Sequence, residues 1–156
     1  TGGCRRVREI GERSYPLPTL PEYVSGLAKP PKGVSTKEAY DAYDARENSW
    51  EPKTPALCDA LETHNLRQIS QQVSNAFVDT LSPATVPALC KAMRKAGAFG
   101  ATMSGSGSTV FGLFPSYILA ENCMRALKES NSSLFVSVCS PAPAGLSTSH
   151  RTFESI

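Results

Sequence analysis

The sequence lacks the features that mark membrane, secreted and metal-binding proteins. No apolar run approaches the roughly 18 residues that a membrane-spanning helix needs, and no signal peptide opens the 156-residue chain. The five cysteines are odd in number and form no CxxC pair, and neither His64 nor His150 has a ligand neighbour at metal spacing. We therefore expect a soluble protein in a reducing cytoplasm, with free thiols and no metal site. Cys58, Cys90 and Cys123 fall at apolar helix positions and are expected to be buried.

Charged residues are also few. They make up 19% of the chain, and the net charge is +2. Such a balance favours neither a nucleic-acid partner nor an acidic substrate. A chain of this length usually forms one domain that buries about two-thirds of its unfolded surface.

Glycine and serine, by contrast, are concentrated in residues 97–111, where four glycines and three serines join two apolar runs that each indicate a strand. Gly105 and Gly107 permit a tight turn with several amides pointing inward, a shape suited to an anion or to packing against a loop that holds one. No lysine follows as in a Walker A loop, and no serine has the spacing of a nucleophile elbow. Alone, the segment fits a plain hairpin connection equally well.

The run GATMSGSG at residues 100–107, followed by TVF at 109–111, resembles the third motif of the GHMP kinases. A second patch, residues 27–40, is similar to the strand, loop and helix start in the substrate-binding half of that family. The resemblance covers about residues 2–138 and is strongest to the members that phosphorylate a cytidine-diphosphate-linked methylerythritol in the non-mevalonate isoprenoid pathway. The order and separation of the two patches argue against a chance match.

This resemblance implies a role for the glycine loop. In the family, the third motif packs against the phosphate loop and shapes the site that receives ATP. Backbone amides and the Ser106 hydroxyl would be the donors, and the residues concerned are Ser104, Gly105, Ser106 and Gly107. The alternative is a loop that only joins two strands.

The resemblance also implies a substrate site at the start of the first helix. Thr36 and Tyr40 lie one helical turn apart and share a face. By resemblance, the Tyr40 ring would stack on the cytosine base and Thr36 would hydrogen-bond nearby substrate groups or the helix start. From the residues alone, core packing of Tyr40 beside Tyr43 remains the alternative.

The family's first two motifs and its catalytic Asp and Lys belong to an N-terminal half that has no counterpart here. We therefore expect the C-terminal piece of a kinase, with no catalytic residue and no activity of its own. The resemblance implies that the intact enzyme uses ATP and Mg²⁺, that this piece alone binds neither, and that its partners are the N-terminal kinase domain and the cytidine-diphosphate-linked substrate, without nucleic acid or membrane.

Two alternatives stay open. One is a domain of another GHMP kinase, of the homoserine kinase type. The other is a non-enzymatic ferredoxin-like binding module, for instance for RNA, although neither central strand carries the aromatic RNP1 pattern.

Periodicity and capping signals predict an α+β chain. A strand at 23–28 precedes four helices, which begin at Ser35 with a capping box to Glu38, at a Thr54 cap, near Leu66 and near Thr85. An alternating strand at 99–103, a strand at 109–114, a helix capped by Ser116 and an alternating strand at 133–139 follow. This order is a ferredoxin-like split βαβ arrangement with extra helices in the first crossover, which is also the GHMP kinase C-terminal domain that the resemblance implies. The third helix is expected to bury Leu66, Ile69, Val73 and Phe77.

The predicted organisation has three parts. Residues 1–14 are expected to be a hairpin left from the N-terminal kinase domain, and residues 15–140 form the C-terminal domain. Prolines at 16, 18 and 21 predict an irregular linker over 15–21. The Pro-, Ala-, Ser- and Thr-rich residues 141–156 are expected to be a disordered tail.

Overall fold

The computed structural model describes residues 3–46, 50–78 and 84–141. Except for Pro141, the predicted disordered tail lies outside these residues. The elements are β1 (Arg5–Arg8), β2 (Arg13–Pro16), β3 (Val24–Lys29), α1 (Thr36–Asp44), α2 (Thr54–Glu62), α3 (Leu66–Gln71), α4 (Thr85–Lys95), β4 (Gly100–Met103), β5 (Val110–Phe114), α5 (Tyr117–Ser130) and β6 (Phe135–Cys139). The predicted α+β class is confirmed.

A four-stranded antiparallel sheet with the order β4-β5-β3-β6 organises the described chain. β4 and β5 form a hairpin, whereas β3 is inserted between β5 and β6. Helices α1 to α4 make the first crossover and α5 makes the second. This is the ferredoxin-like split βαβ arrangement that the sequence predicts.

The main core lies between the sheet and helices α4 and α5. Phe114 of β5 and Ala28 of β3 are fully buried in it. The helices contribute one apolar face each, as their 3.6-residue periodicity requires: Val86, Leu89, Cys90 and Met93 from α4, and Ala120, Cys123, Met124 and Leu127 from α5. A smaller cluster of Ala60, Leu61 and Ile69 joins α2 to α3.

Two details of the strand predictions are wrong. All four residues of β4 are buried instead of alternating, and a Cβ on Gly100 would lie 2.0 Å from the Ser70 carbonyl oxygen. The backbone of α3 therefore covers the strand at a distance that only glycine permits. The hairpin of β1 and β2 forms as expected, but it continues through Pro16 into the predicted linker. Proline is tolerated there because an edge strand has an N–H position that no neighbour uses.

Two details of the helix predictions are also wrong. α3 ends at Gln71, so Val73 and Phe77 lie in the following turn. Lys53, without a side-chain hydrogen bond, precedes α2, so Thr54 is its first residue and not its cap. The Ser35 cap is confirmed by a 3.3 Å hydrogen bond from the Glu38 N–H to the Ser35 hydroxyl oxygen.

The cysteines are free thiols, as predicted. Cys90 and Cys123 are buried, whereas Cys58 is only partly buried. In the described ranges, no helix combines the length and the hydropathy that a membrane crossing demands.

Candidate functional site

The glycine loop is a closed turn between β4 and β5. The Ser104 N–H donates to the Thr109 carbonyl at 2.8 Å, and the Gly107 N–H donates to the Ser104 carbonyl at 3.1 Å. Gly105 and Gly107 have φ angles of +57° and +103°, which side chains on either residue would strain.

The two glycines differ in their surroundings. A Cβ on Gly107 would lie 2.6 Å from the Met103 sulfur and 3.3 Å from Val34 Cγ2, whereas a Cβ on Gly105 would meet nothing within 4 Å. Gly107 thus packs the loop onto β4 and the segment before α1, and Gly105 forms its open side. Within the described residues, the N–H groups of Gly105 and Ser106 have no acceptor, so two successive donors remain available to a ligand.

A hydroxyl pair joins the loop to the start of α1. Thr36 Oγ1 and Ser106 Oγ lie 3.0 Å apart, although the residues are 70 positions apart in the chain. The structure therefore brings together the two groups that the sequence singles out.

Tyr40 lies one turn further along α1, about 6 Å from Thr36 along the helix axis. Its side chain is 54% exposed, so it is not a core residue beside Tyr43. Its ring meets Phe77 edge to face, with 5.0 Å between centroids and an interplanar angle of 71°. Tyr43 contacts the same Phe77 ring at 5.9 Å.

Sequence reasoning missed Asn75. Its Nδ2 donates to the carbonyls of Met103 and Gly105, both at 2.8 Å, and its Oδ1 accepts from the Phe77 N–H at 2.9 Å. An asparagine inside an apolar helical stripe was the available signal, because asparagine side chains compete with the helix for backbone groups.

The site offers hydrogen-bond donors and an aromatic surface. Lys37, beside Thr36, is paired with Asp41 at 2.7 Å on the exposed side of α1. Across the described parts of the chain, no group of three or more His, Cys, Asp or Glu residues could hold a metal ion. Such an arrangement is suited to phosphate oxygens and to a flat ring.

Comparison with known proteins gives one family. Residues 56–133 match the family described as GHMP kinases C terminal. The 4-diphosphocytidyl-2-C-methyl-D-erythritol kinases of two species, Clostridium botulinum and Clostridium novyi, are 35% and 33% identical to the chain over 137 residues, which is 86% of this chain and 49% of each relative. The chain thus spans about half the length of the curated relatives it matches.

Solved structures show the same fold. Homoserine kinase from Cytophaga hutchinsonii superposes with a TM-score of 0.67 at 22% identity, covering 92% of this chain and 49% of that one. A 4-(cytidine 5'-diphospho)-2C-methyl-D-erythritol kinase gives a TM-score of 0.64 at 25% identity, covering 88% and 50%. L. major mevalonate kinase, in complex with R-mevalonate, gives 0.70 at 16% identity, covering 88% and 48%.

Proposed function

The chain belongs to the GHMP kinase family, and from this premise we propose that it is the substrate-binding C-terminal half of a 4-diphosphocytidyl-2-C-methyl-D-erythritol kinase. The intact enzyme would transfer the ATP γ-phosphoryl group to the 2-hydroxyl of 4-diphosphocytidyl-2-C-methyl-D-erythritol, a step of non-mevalonate isoprenoid biosynthesis. The names of the curated relatives support this acceptor. The observation that carries the proposal is the Thr36–Ser106 contact, which joins α1, the helix of Tyr40, and the glycine loop in one site.

The glycine loop is assigned to the phosphate side of the reaction. Phosphoryl transfer depends mainly on positioning and on stabilisation of charge. The N–H groups of Gly105 and Ser106 would donate to a phosphate or to the phosphate loop of the N-terminal half, while Ser104 and Gly107 close the turn that aims them. When bound, ATP supplies the phosphoryl group and Mg²⁺ neutralises its charge. The described residues would offer donors to the phosphates, and they contain no acidic cluster for the cation.

Thr36 and Tyr40 are assigned to the acceptor. The exposed Tyr40 ring, held at its edge by Phe77, would stack on the cytosine base, a contact worth about 1–3 kcal/mol per base. Thr36 would hydrogen-bond the part of the acceptor nearest the loop. The site residues contain no group placed to accept the proton of the acceptor hydroxyl, so we expect the base in the N-terminal half and no turnover by this chain alone.

A nucleotide titration of the chain tests the cytidine assignment. We expect CDP to shift amide resonances around Thr36–Tyr40, and ATP to leave them unchanged. Tyr40→Leu should abolish the response. Tyr117→Leu is the matched control, because Tyr117 is 53% exposed on α5 and Tyr40 is 54% exposed on α1.

Two outcomes would contradict the assignment. An equal response to ATP would remove the preference for cytidine, and a CDP response that survives Tyr40→Leu would place the base elsewhere. ATP-dependent product formed by the purified chain would overturn the expectation that the chain is inactive alone.

The alternative acceptor is homoserine. The fold similarity to homoserine kinase allows it, but an amino acid offers no flat ring to Tyr40. Shifts around Thr36 with homoserine and none with CDP would favour this second function.

A further inference from the structure

The Asn75 amide has a single orientation that satisfies its surroundings. Its two hydrogens face two carbonyl oxygens, of Met103 and Gly105, and its oxygen faces the Phe77 N–H. Rotating the amide by 180° would place an oxygen against two acceptors and an NH₂ group against a donor. The side chain is therefore fixed by three hydrogen bonds of 2.8–2.9 Å.

One of these bonds sets the direction of a free donor. The Gly105 carbonyl and the Ser106 N–H belong to the same peptide group, which is planar, with the two bonds pointing in opposite directions when the peptide is trans. Because Asn75 holds the Gly105 oxygen on one side, the Ser106 N–H points to the other side, away from Asn75. The bond to Met103 fixes the Ser104 peptide in the same way, and its N–H reaches Thr109.

The third bond ties the same side chain to the aromatic part of the site. The Phe77 N–H donates to Asn75, and the Phe77 ring contacts the rings of Tyr40 and Tyr43 with centroid distances of 5.0 Å and 5.9 Å. The neighbouring Ala76 carbonyl accepts a 3.4 Å hydrogen bond from Arg46, just beyond the end of α1. The turn after α3 thus contacts α1 and the residue beyond it through the Phe77 ring and the Ala76 carbonyl. It contacts the glycine loop through Asn75.

We propose that Asn75 is a positioning residue that aims the Ser106 N–H and fixes the glycine loop relative to the Tyr40 ring. The identification of phosphate as the ligand of this N–H rests on the proposed function. The positioning itself rests on the geometry alone.

The substitution Asn75→Asp tests the contact with the glycine loop separately from the contact with Phe77. Aspartate has the shape of asparagine and keeps an acceptor for the Phe77 N–H, but it places a carboxylate against two carbonyl oxygens. Asn65→Asp is the matched control, because the described hydrogen bond of the Asn65 side chain is one that its Oδ1 accepts, from the Gln68 N–H at 3.1 Å at the start of α3. Asn75→Ala removes all three bonds without adding charge.

Amide hydrogen exchange of the chain, read by ¹H–¹⁵N spectra, is the test. In Asn75→Asp, we expect the Gly107 and Ser104 amides to exchange about tenfold faster or more, because two hydrogen bonds are lost. The Ser106 resonance should move, whereas the Phe77 amide should keep its protection. Asn65→Asp should leave all four amides unchanged, and Asn75→Ala should release both the loop amides and Phe77.

The result that overturns the proposal is loop exchange in Asn75→Asp that equals exchange in Asn65→Asp. Equal acceleration at Gly107 and at Cys123, in the core on α5, in both Asn75 variants would also overturn it, because Asn75 would then support the whole fold and not the loop. The readout needs neither nucleotide nor activity. A failed CDP titration with loop-specific exchange would therefore reject the assignment of cytidine binding to this chain and leave the positioning role standing.

Discussion

At the scale of single residues, Gly107 combines a backbone conformation and a packing position that exclude side chains. Its φ of +103° lies outside the range that other residues adopt readily, and a Cβ would lie 2.6 Å from the Met103 sulfur, which would have to shift. Gly105 has a left-handed φ of +57° and open space. The two glycines of the loop thus differ both in backbone conformation and in the space available to a side chain.

We expect Gly107→Ala to lower the free energy of unfolding by roughly 3 kcal/mol, from backbone strain and overpacking. Gly105→Ala should cost only about 1–2 kcal/mol, because αL is the lesser strain. Urea unfolding of both variants measures the difference. Equal losses would show that neither the backbone conformation of Gly107 nor its contact with Met103 adds a cost.

The residues that sequence reasoning found are those whose chemistry is local. The Ser35 and Ser116 caps and the glycines of the loop act on groups within three positions, so their type and spacing predict them. Asn75 was missed because its carbonyl partners lie 28 and 30 positions away, and periodicity placed it inside a helix. Thr36 and Ser106 were each predicted as site residues in two separate patches, and the contact between them was not predicted.

At the scale of elements, the start of α1 connects the helix to the glycine loop. The Ser35 hydroxyl accepts from the Glu38 N–H, and the next residue, Thr36, meets Ser106 at 3.0 Å. The cap of α5 at Ser116 has the same chemistry, with the Leu119 N–H as donor at 3.4 Å, but no described contact with the loop.

We expect Ser35→Ala and Ser116→Ala each to cost about 1 kcal/mol of stability, the usual value of a serine cap. Only Ser35→Ala should also shift the Ser106 amide, because loosening the first turn of α1 moves Thr36. Urea unfolding and ¹H–¹⁵N spectra of the two variants check both parts. An unshifted Ser106 would mean that Thr36 keeps its place without the cap.

The positions of most helices and strands could be predicted from the sequence, whereas the end of α3 and the burial of β4 could not. The helices α1, α4 and α5 and the strands β3 to β6 lie where their patterns predict them, because caps and periodicity are local signals. The length of α3 was wrong because tertiary hydrogen bonds of Asn75 replaced its last turns. The burial of β4 on both faces depends on the close approach of Ser70 to Gly100, which no local pattern reveals.

At the scale of the whole molecule, buried thiols couple stability to pH. Burial raises the pKa of both Cys90 and Cys123 above the ordinary value of 9.0. Well below pH 9, the thiols are protonated in the folded and the unfolded chain alike. As pH rises above that value, the unfolded chain releases protons that the folded chain retains, so stability falls.

We expect the free energy of unfolding to decrease between about pH 8 and pH 10, with Cys123→Ala reducing the slope. Cys139→Ala is the control, because Cys139 is exposed at the end of β6. Comparing slopes removes the constant cost of the cavity left by Cys123→Ala. If Cys139→Ala reduced the slope and Cys123→Ala did not, the pH dependence could not be assigned to the buried thiols.

The strand order also bears on the synthesis of the chain. Both neighbours of β3 follow it, and the nearer one begins at Val110, about 80 residues after Lys29. At a translation rate of about 5–20 residues per second, β3 stays without either partner for roughly 4–16 s. For that time, both of its edges present unpaired backbone groups to other chains. Among the described strands, β3, one of the two inner strands of the sheet, therefore waits longest for a partner and most needs protection on the ribosome.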